Sequence, residues 1–417
     1  MLQIALLDSY ASTWRADVDT LYQQLGGGQN PSLLPYHFLQ AALPHIGGKV
    51  VRVMVGEQLA GVGFALPYNG ELTSTHPTLA YVIRYHALPG APVVVMDNLQ
   101  AQLRRHLNSE QLFCYDPTAS PMYTPTHQTV GAIDIGRPDG DEAAAIRDVQ
   151  QRIWGSPPEF LYPVDLHSST FPLATSLVAR VDGALAGFLF GFYKQGGPLL
   201  PGDWATHWPS DLRIESQLMG VLPAYRGLRL SYLLKKIQAE QALTQGIGVI
   251  HWTVDPLQYT NAALNFGLLR AVCFTFTPDY YPFRNELNRG PASRLSLTWL
   301  IGSSRVREIP LFDAQSVVFN LAHQPEIVRV NQGWQYGDLT VDASLIAIEI
   351  PANWTKLQQA QPTEALHWRA ATDQLLSHYL GSAPGKYVIT DVGVDGERRF
   401  LIAQRADEAL WARLERP

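Results

Sequence analysis

Short apolar runs and helical apolar stripes alternate along this chain, and the pattern predicts a mixed α/β fold. Residues 50–68 and 176–194 each contain two apolar runs around a short glycine-containing turn, which is typical of a β-hairpin. Period-2 and period-3.6 patterns predict the other main elements. These are strands at 212–221 and 249–254 and helices at 143–154 and 228–245.

The pattern within the helix at 228–245 also predicts which side is buried. Its apolar stripe consists of Leu230, Leu233, Leu234 and Ile237, and the residues expected to face solvent are Lys235, Lys236 and Glu240. After the next strand, Asp255 and Pro256 are typical of an N-cap and a first-turn proline, so a further helix is expected to begin there.

Three segments recur in the same order along the chain. The two hairpins share the tripeptide Leu-Ala-Gly at the same place, residues 86–103 match 220–237, and residues 112–117 match 251–256. The shared order favours a duplicated α/β unit, with chance similarity of strand-turn-strand sequences as the alternative. The predicted fold class is therefore α/β (α+β), with tandem mixed sheets flanked by helices.

A chain of 417 residues is too long for one ordinary core, so several domains are expected. The predicted boundaries are 1–130, 131–305 and 306–417. The last segment predicts a strand at 344–354, a helix at 364–380 and a hairpin across Asp395 and Gly396. This tail is either a third, small α+β domain or a completion of the sheet of the first copy, and both alternatives stay open.

Composition and charge exclude several function classes. The chain is 46% hydrophobic and 16% charged, its net charge is −6, and it has no run rich in Lys and Arg, so nucleic acid is not an expected partner. No apolar run is long enough to span a membrane, a secretion signal is not expected, and the two cysteines indicate neither a disulfide framework nor a zinc site. We expect a cytoplasmic, metal-free protein without a membrane partner.

Residues 220–237 carry the clearest sign of chemistry. Arg226 and Gly227 follow a predicted strand and Pro223, and they precede a predicted helix. At such a helix start, unpaired backbone N–H groups and the positive end of the helix dipole favour an anion, and glycine lets a phosphate approach closely. The sequence therefore predicts a phosphate-binding loop here.

This loop resembles the phosphate motif of the GNAT superfamily of acetyl-CoA-dependent N-acyltransferases. Val221, Pro223, Arg226 and Gly227 match that motif. Residues 252–265 and 365–376 are similar to an uncharacterised subgroup of predicted acetyltransferases within the superfamily. Residues 88–96 contain no Arg-Gly pair, so the first copy is expected to be a degenerate GNAT-like domain without a cofactor.

The resemblance implies acetyl-CoA or another acyl-CoA as co-substrate, without a metal. It implies main-chain contacts to the pantetheine arm from Met219, Gly220 and Val221. It implies that the diphosphate is held by Arg226, Gly227, Leu228, Arg229, Leu230 and Ser231, and that Asn261 faces the cofactor. The chain departs from the family pattern where Arg229 and Ser231 stand in place of small residues, where Arg270 stands in place of glycine, and where Phe266 stands in place of the tyrosine that protonates the leaving thiolate.

Acyl transfer needs a base for the amine proton and an acid for the leaving sulfur. Glu215, just before the pantetheine segment, is the candidate base, with a solvated strand carboxylate as the open alternative. Tyr259 is the candidate replacement acid, with Tyr280 and Tyr281 as further options. His251 is expected to be a packed core residue.

The expected function is N-acyl transfer from acyl-CoA to an amine of a small molecule or to a free amino group, with a homodimer as an open alternative for assembly. The other functional hypotheses are a non-catalytic binding or sensor protein, and a changed acyl-CoA reaction, either hydrolysis or decarboxylation.

Overall fold

A computed structural model of the chain describes residues 1–71, 76–281, 290–311 and 314–415. Its strands are β1 (Leu2–Leu6), β2 (Lys49–Val55), β3 (Gln58–Asn69), β4 (Leu79–Ala87), β5 (Leu112–Tyr115), β6 (Gln128–Val130), β7 (Ile133–Gly136), β8 (Thr175–Val181), β9 (Ala184–Gln195), β10 (Leu212–Val221), β11 (Val249–Val254), β12 (Val272–Thr277), β13 (Arg294–Leu300), β14 (Val318–Asn320), β15 (Val328–Arg329), β16 (Asn331–Gln332), β17 (Tyr336–Gly337), β18 (Leu345–Ile350), β19 (Tyr387–Asp395) and β20 (Arg398–Arg405). Its α-helices are α1 (Trp14–Gln24), α2 (Leu43–His45), α3 (Met96–Leu107), α4 (Gly140–Trp154), α5 (Trp204–His207), α6 (Leu230–Thr244), α7 (Tyr259–Ala262), α8 (Ser304–Arg307), α9 (Trp354–Ala360), α10 (Pro362–Tyr379) and α11 (Glu408–Glu415).

The chain divides into two compact units. The first contains residues 1–197 and 210–247, and the second contains residues 198–209 and 248–417. Both units combine sheets with helices, so the predicted mixed α/β fold class is confirmed. The three-part division at residues 130 and 305 stays a prediction.

The predicted elements around the phosphate loop are confirmed. Strands β10 and β11 have the predicted bounds, both hairpins form as β2–β3 and β8–β9, and α6 begins two residues later than expected. Helix α4 starts with a capping box, because the Asp139 carboxylate accepts from the Glu142 N–H while the Glu142 carboxylate accepts from the Asp139 N–H. It ends at Gly155, whose left-handed backbone is a common helix stop.

The first unit contains two groups of paired strands. One has the order β1-β2-β3-β4-β5, and the other has the order β6-β7-β8-β9-β10. Both hairpins carry a β-bulge at the central alanine of their Leu-Ala-Gly tripeptide. Val53 pairs with Gly61 and Met54 with Leu59, which leaves Ala60 unpaired, and the same shift in β8–β9 leaves Ala186 unpaired. The shared tripeptide therefore has a shared geometry, while descent of the two copies from a duplication stays a prediction.

A single apolar core joins these two groups of strands in the first unit. Phe64 and Leu66 of β3 contribute to the same buried cluster as Phe188, Phe190 and Phe192 of β9, together with residues of α1, α2 and α4. Phe38 and Phe192 have ring centroids 4.7 Å apart. The opposite face of the first sheet packs on Leu99 and Leu103 of α3.

In the second unit, the paired strands have the order β11-β13-β12-β19-β20-β18-β15. The tail joins this sheet through β19, because Ile389 pairs with Cys273 of β12. The tail strands therefore extend the sheet that contains β11, β12 and β13. They do not complete the sheet of the first copy. Trp204, Phe274 and Trp411 form an aromatic centre in one of the buried clusters of this unit.

The prediction that a helix begins at Asp255 is wrong. The Asp255 Oδ1 atom accepts a hydrogen bond from the Leu257 N–H at 2.9 Å and so caps a single turn, and α7 begins only at Tyr259. A tertiary contact also explains why no helix begins at Asp255, because the Arg369 guanidinium binds both of its carboxylate oxygens.

Across the described ranges, no helix combines the length and the apolar character that a membrane crossing requires.

Candidate functional site

The candidate site begins on β10, whose pairing with β9 is interrupted by a bulge. Glu215 pairs with Phe192 and Leu218 pairs with Phe190, so Ser216 and Gln217 lie opposite one residue. Beyond the bulge, Met219, Gly220 and Val221 pair with residues 187–189. A Cβ atom on Gly220 would lie 2.8 Å from the side chains of Ile153 and Phe188 and 3.0 Å from that of Trp154, so only glycine lets α4 pack this closely on the strand.

The chain then turns sharply before α6. The Leu222 N–H still donates to the Ala186 carbonyl at 2.9 Å, and Pro223–Tyr225 form one turn of 3₁₀-helix. Gly227 has a φ of +90° and Arg229 has a φ of +60°, which places both residues in the left-handed region. The loop therefore keeps the backbone conformation that favours glycine even where the sequence has arginine. The Arg229 guanidinium lies 5.7 Å from the centroid of the Tyr232 ring.

The start of α6 offers a set of backbone donors. The loop from Pro223 to Arg229 is largely exposed, and the N–H groups of Tyr232 and Leu233 are the first of the helix to find an acceptor, the Arg229 carbonyl at 3.0 and 3.1 Å. Before them, other N–H groups have no acceptor within the described parts of the chain: those of Gly227, Leu228, Leu230 and Ser231. Unpaired donors at the positive end of a 15-residue helix, next to two exposed arginines, suit an anion.

Glu215 is buried, so the alternative of a solvated strand carboxylate is wrong. Its side chain is 5% exposed, and its Oε2 atom accepts a hydrogen bond at 2.9 Å from the ammonium group of Lys194, which is 1% exposed. The His45 Nε2 atom lies 3.3 Å from the same oxygen and also contacts the Lys194 ammonium. The candidate base thus belongs to a largely buried group of ionisable side chains, which we call the Glu215 cluster and define as His45, Lys194, Glu215 and Lys235.

Lys235 belongs to this cluster, contrary to the prediction that it faces solvent. It is only 2% exposed, whereas the other predicted outward residues are half-buried Lys236 and exposed Glu240. Burial lowers the pKa of the Lys235 ammonium well below its usual range, and the Glu215 carboxylate opposes that shift. The helical period predicted the apolar stripe of α6 correctly. More of the helix surface is buried than this stripe indicates, and the additional buried part includes Lys235.

The remaining predicted site residues lie in the second unit. Tyr259 is the first residue of α7, and the Arg399 guanidinium lies 5.3 Å from the centroid of its ring. Burial raises the pKa of the Tyr259 phenol, and Arg399 opposes the shift, so the phenol holds its proton at neutral pH. Asn261 is exposed on the same helix. The roles given to these two residues stay predictions.

Two departures from the family pattern are visible in the structure. Phe266 is fully buried, and a phenyl ring has no proton to give. Arg270 has a φ of +59°, so the position where the family has glycine again has a left-handed backbone. His251 is buried, and its Nδ1 atom lies 3.1 Å from the Leu297 carbonyl oxygen, as expected for a packed core residue.

Sequence reasoning missed His45 and Lys194 altogether. Neither residue lies in a motif: His45 ends the short helix α2, and Lys194 stands near the end of a hairpin strand. The sequence offered one indication, because the charged residue Lys194 directly follows a run of apolar residues within β9. Within the described ranges, no group of three or more His, Cys, Asp or Glu side chains is placed to hold a metal ion.

Comparison with known proteins gives matches at the level of structure. No protein-family model and no curated protein matches the chain. A putative acetyltransferase from Salmonella typhimurium, solved with acetyl-CoA, is 15% identical with a TM-score of 0.31, over 41% of this chain and 95% of its own. Naa50 from Arabidopsis thaliana, solved with a bisubstrate analogue of CoA and an acetylated peptide, is 12% identical with a TM-score of 0.30, over 40% of this chain and 97% of its own. The ribosomal-protein-S18-alanine N-acetyltransferase from Escherichia coli is 16% identical with a TM-score of 0.29, over 40% of this chain and 94% of its own. Each of these three matches covers about two fifths of this chain and nearly all of the other chain.

Proposed function

We propose that this chain is an acyl-CoA-dependent N-acyltransferase that acts on an amine of a small molecule or on a free amino group. The observation that carries the proposal is the start of α6, where an exposed Arg-Gly turn and unpaired backbone N–H groups precede a long helix. A diphosphate supplies several acceptor oxygens and two negative charges, which these groups match. Held there, acyl-CoA supplies the acyl group as a thioester.

The reaction exchanges the carbon–sulfur bond of the thioester for a carbon–nitrogen bond and moves one proton from nitrogen to sulfur. The amine nitrogen bonds to the carbonyl carbon, the carbon–sulfur bond breaks, the amine loses a proton and the departing thiolate gains one. Glu215 is the proposed proton acceptor, and Tyr259 is the proposed proton donor. The two assignments rest on separate arguments and are tested separately.

Binding of a CoA-like ligand without turnover is the second candidate. The Glu215 Oε2 atom already accepts a hydrogen bond from the Lys194 ammonium at 2.9 Å, so this oxygen is engaged before an amine arrives. The buried phenyl ring of Phe266 also stands where the resemblance places the proton donor. Both observations favour a sensor that keeps the phosphate-binding loop and lacks the chemistry.

A binding experiment tests the phosphate loop first. We expect CoA and acetyl-CoA to raise the melting temperature, and pantetheine, which lacks the diphosphate, to have little effect. Gly227→Ala strains a residue whose φ is +90° and should weaken CoA binding roughly ten-fold, about 1.4 kcal/mol. Gly183→Ala is the matched control, because Gly183 has a φ of +77° in a hairpin turn and, like Gly227, has no atom within 4 Å of an added Cβ. If millimolar CoA leaves the melting temperature unchanged, the proposal fails.

Turnover distinguishes the two candidate functions. Thiol release from acetyl-CoA and longer acyl-CoAs is measured with a panel of amines, and an amine-dependent signal supports transfer. Glu215→Gln should remove that signal while the CoA-induced rise in melting temperature remains, which shows that the variant is folded. Unchanged turnover in Glu215→Gln removes this residue from the mechanism, and Tyr259→Phe tests the proposed acid in the same way. Binding without thiol release in any mixture leaves the second candidate.

A further inference from the structure

Arg270 in the second unit combines an unfavourable backbone conformation with an unused donor. It follows the π-helical turn Ala263–Leu268, and its φ of +59° lies in the left-handed region, where glycine is favoured. The Nε atom of its side chain is buried, and it has no hydrogen-bond partner among the described residues. Strain and an unused buried donor in the same residue call for an explanation beyond packing.

Arg305 lies beside Arg270 and is fixed by main-chain oxygens. Its guanidinium donates to the Arg270 carbonyl oxygen and, at 3.1 Å, to the Thr390 carbonyl oxygen. Arg413 reaches the same place through Gln404, which accepts a hydrogen bond from Arg413 and donates one to the Thr390 hydroxyl at 2.6 Å. Within the described ranges, none of the three arginines forms an ion pair with a carboxylate.

The charges at this place do not balance. The Arg305 guanidinium is acted on by one carboxylate, that of Asp391, and by the guanidinium groups of Arg270 and Arg413. Three guanidinium groups against one carboxylate leave an excess of two positive charges. We call these four residues the arginine group. The other charged residues of the adjoining helix ends are exposed, so solvent screens them: Arg307, Glu308, Asp407 and Glu408.

The pKa values of the arginine group reflect this crowding. Burial, assisted by Arg270 and Arg413, lowers the pKa of the Arg305 guanidinium to about 10, although Asp391 opposes the shift. Burial also raises the pKa of the Asp391 carboxyl, against the opposing effect of Arg305 and Arg270. All three arginines still carry their charge at neutral pH, so a bound anion would relieve their mutual repulsion.

We propose that the arginine group binds a phosphate group, carried by a small molecule or present as the free ion. A phosphate group carries about two negative charges at neutral pH, which match the excess, and its oxygens accept from guanidinium N–H groups in pairs. Arg270 supplies the unused donor, and Arg305 is held in place before a ligand arrives. Arg413 is exposed, so the ligand approaches from its side. The site belongs to the second unit alone, and it does not depend on the acyl-CoA activity.

The test measures binding of three anions to the full chain by isothermal titration calorimetry. Inorganic phosphate, methyl phosphate and acetate are titrated separately at pH 7.5 and constant ionic strength. We expect saturable binding of inorganic phosphate, about ten-fold tighter than that of acetate, which carries a single charge. Saturable binding of methyl phosphate as well assigns the site to phosphate esters, and binding of inorganic phosphate alone assigns it to the free ion. Absence of saturable phosphate binding, or equally tight binding of acetate, overturns the proposal.

Variants locate the binding, because the start of α6 also suits an anion. Arg270→Gly should weaken phosphate binding about ten-fold. It removes a left-handed side chain and one of three like charges, so its melting temperature in phosphate-free buffer should not fall below that of the wild type. Asp182→Gly is the matched control, at an exposed residue with a φ of +51° in a hairpin turn of the first unit, and it should leave phosphate binding unchanged.

Two results would overturn the proposal. One is unchanged phosphate binding in Arg270→Gly. The other is loss of phosphate binding in Arg229→Gly with binding retained in Arg270→Gly, which would place the phosphate at the start of α6.

Discussion

Replacing Glu215 by glutamine removes the negative charge that faces the buried amines of the first unit. The carboxylate lies 2.9 Å from the Lys194 ammonium, and it also favours the charged form of Lys235. Glu215→Gln leaves both amines without this counter-charge. Lys194→Met, by contrast, leaves Glu215 with His45 at 3.3 Å and with Lys235. We therefore expect the glutamate variant to be the more destabilised of the two.

The magnitude follows from the distance and the burial. Two unit charges 2.9 Å apart attract by about 6 kcal/mol at an effective dielectric constant of 20, before desolvation is counted. Removing one partner of a buried pair typically costs about 3–5 kcal/mol, and this is the loss expected for Glu215→Gln. For Lys194→Met we expect a smaller loss of about 1–3 kcal/mol, close to that of an unsatisfied buried group, because His45 and Lys235 still lie beside the carboxylate.

Urea unfolding at pH 7.5, followed by circular dichroism, measures both losses. Glu57→Gln serves as a control, because Glu57 is exposed in a hairpin turn of the same unit and its replacement should change stability by less than about 0.5 kcal/mol. The double variant of Glu215 and Lys194 should lose less than the sum of the single losses, because the two side chains are in contact. Equal losses in the two single variants, or a larger loss in Lys194→Met, would refute the view that Glu215 is the common counter-charge.

Three further predictions concern glycine packing, backbone strain and burial of a carboxylate. In urea titrations, Gly220→Ala should lower the free energy of unfolding by about 1–3 kcal/mol, because the new Cβ meets three side chains at 2.8–3.0 Å. An unchanged free energy of unfolding would show that α4 moves freely away from β10. Arg229→Gly relieves the backbone strain of a left-handed residue with a φ of +60°, and it should change the free energy of unfolding by less than ~1 kcal/mol. In CoA titrations of this variant, unaltered affinity would show that the Arg229 guanidinium does not contact the phosphates. Burial raises the pKa of Asp373 from 3.8 to about 6, against the opposing hydrogen bond from Ser293, so its protonated form is favoured by folding. The stability associated with this proton is complete below pH 4 and is lost as the pH rises through about 6. In thermal unfolding, the free energy of unfolding of Asp373→Asn should therefore exceed that of the wild type by roughly 2–3 kcal/mol at pH 7.5 and match it near pH 4. A difference that does not change with pH contradicts this reasoning.

Local pattern predicted the elements around the phosphate loop because apolar runs and turn residues next to each other in sequence define them. The apolar runs of β10 and β11 have clear ends, and Arg226 and Gly227 mark the turn before α6. Even the bulges at Ala60 and Ala186 have a trace in the sequence, in the repeated Leu-Ala-Gly. Such features depend on neighbours within a few residues, so a single sequence contains them.

The surroundings of Glu215 could not be predicted in the same way. His45 is 149 residues from Lys194 in sequence, and their contact exists only because α2 and β9 pack into one core. Asp255 shows the same limit, since a residue 114 positions away, Arg369, binds the carboxylate that local sequence assigned to a helix start. Partners this distant leave no periodicity in a single chain.

The sequence by itself determined the mixed α/β fold class, the two hairpins and the strand-loop-helix that suits a diphosphate, because alternation, helical period and turn residues are local properties. The tertiary structure alone decided that Glu215 is buried beside Lys194 and His45, that Lys235 faces inward and that the tail joins β12. The physical reason is that burial and charge balance are set by whichever distant surface covers a side chain, and the same residues would be solvated if that surface were elsewhere.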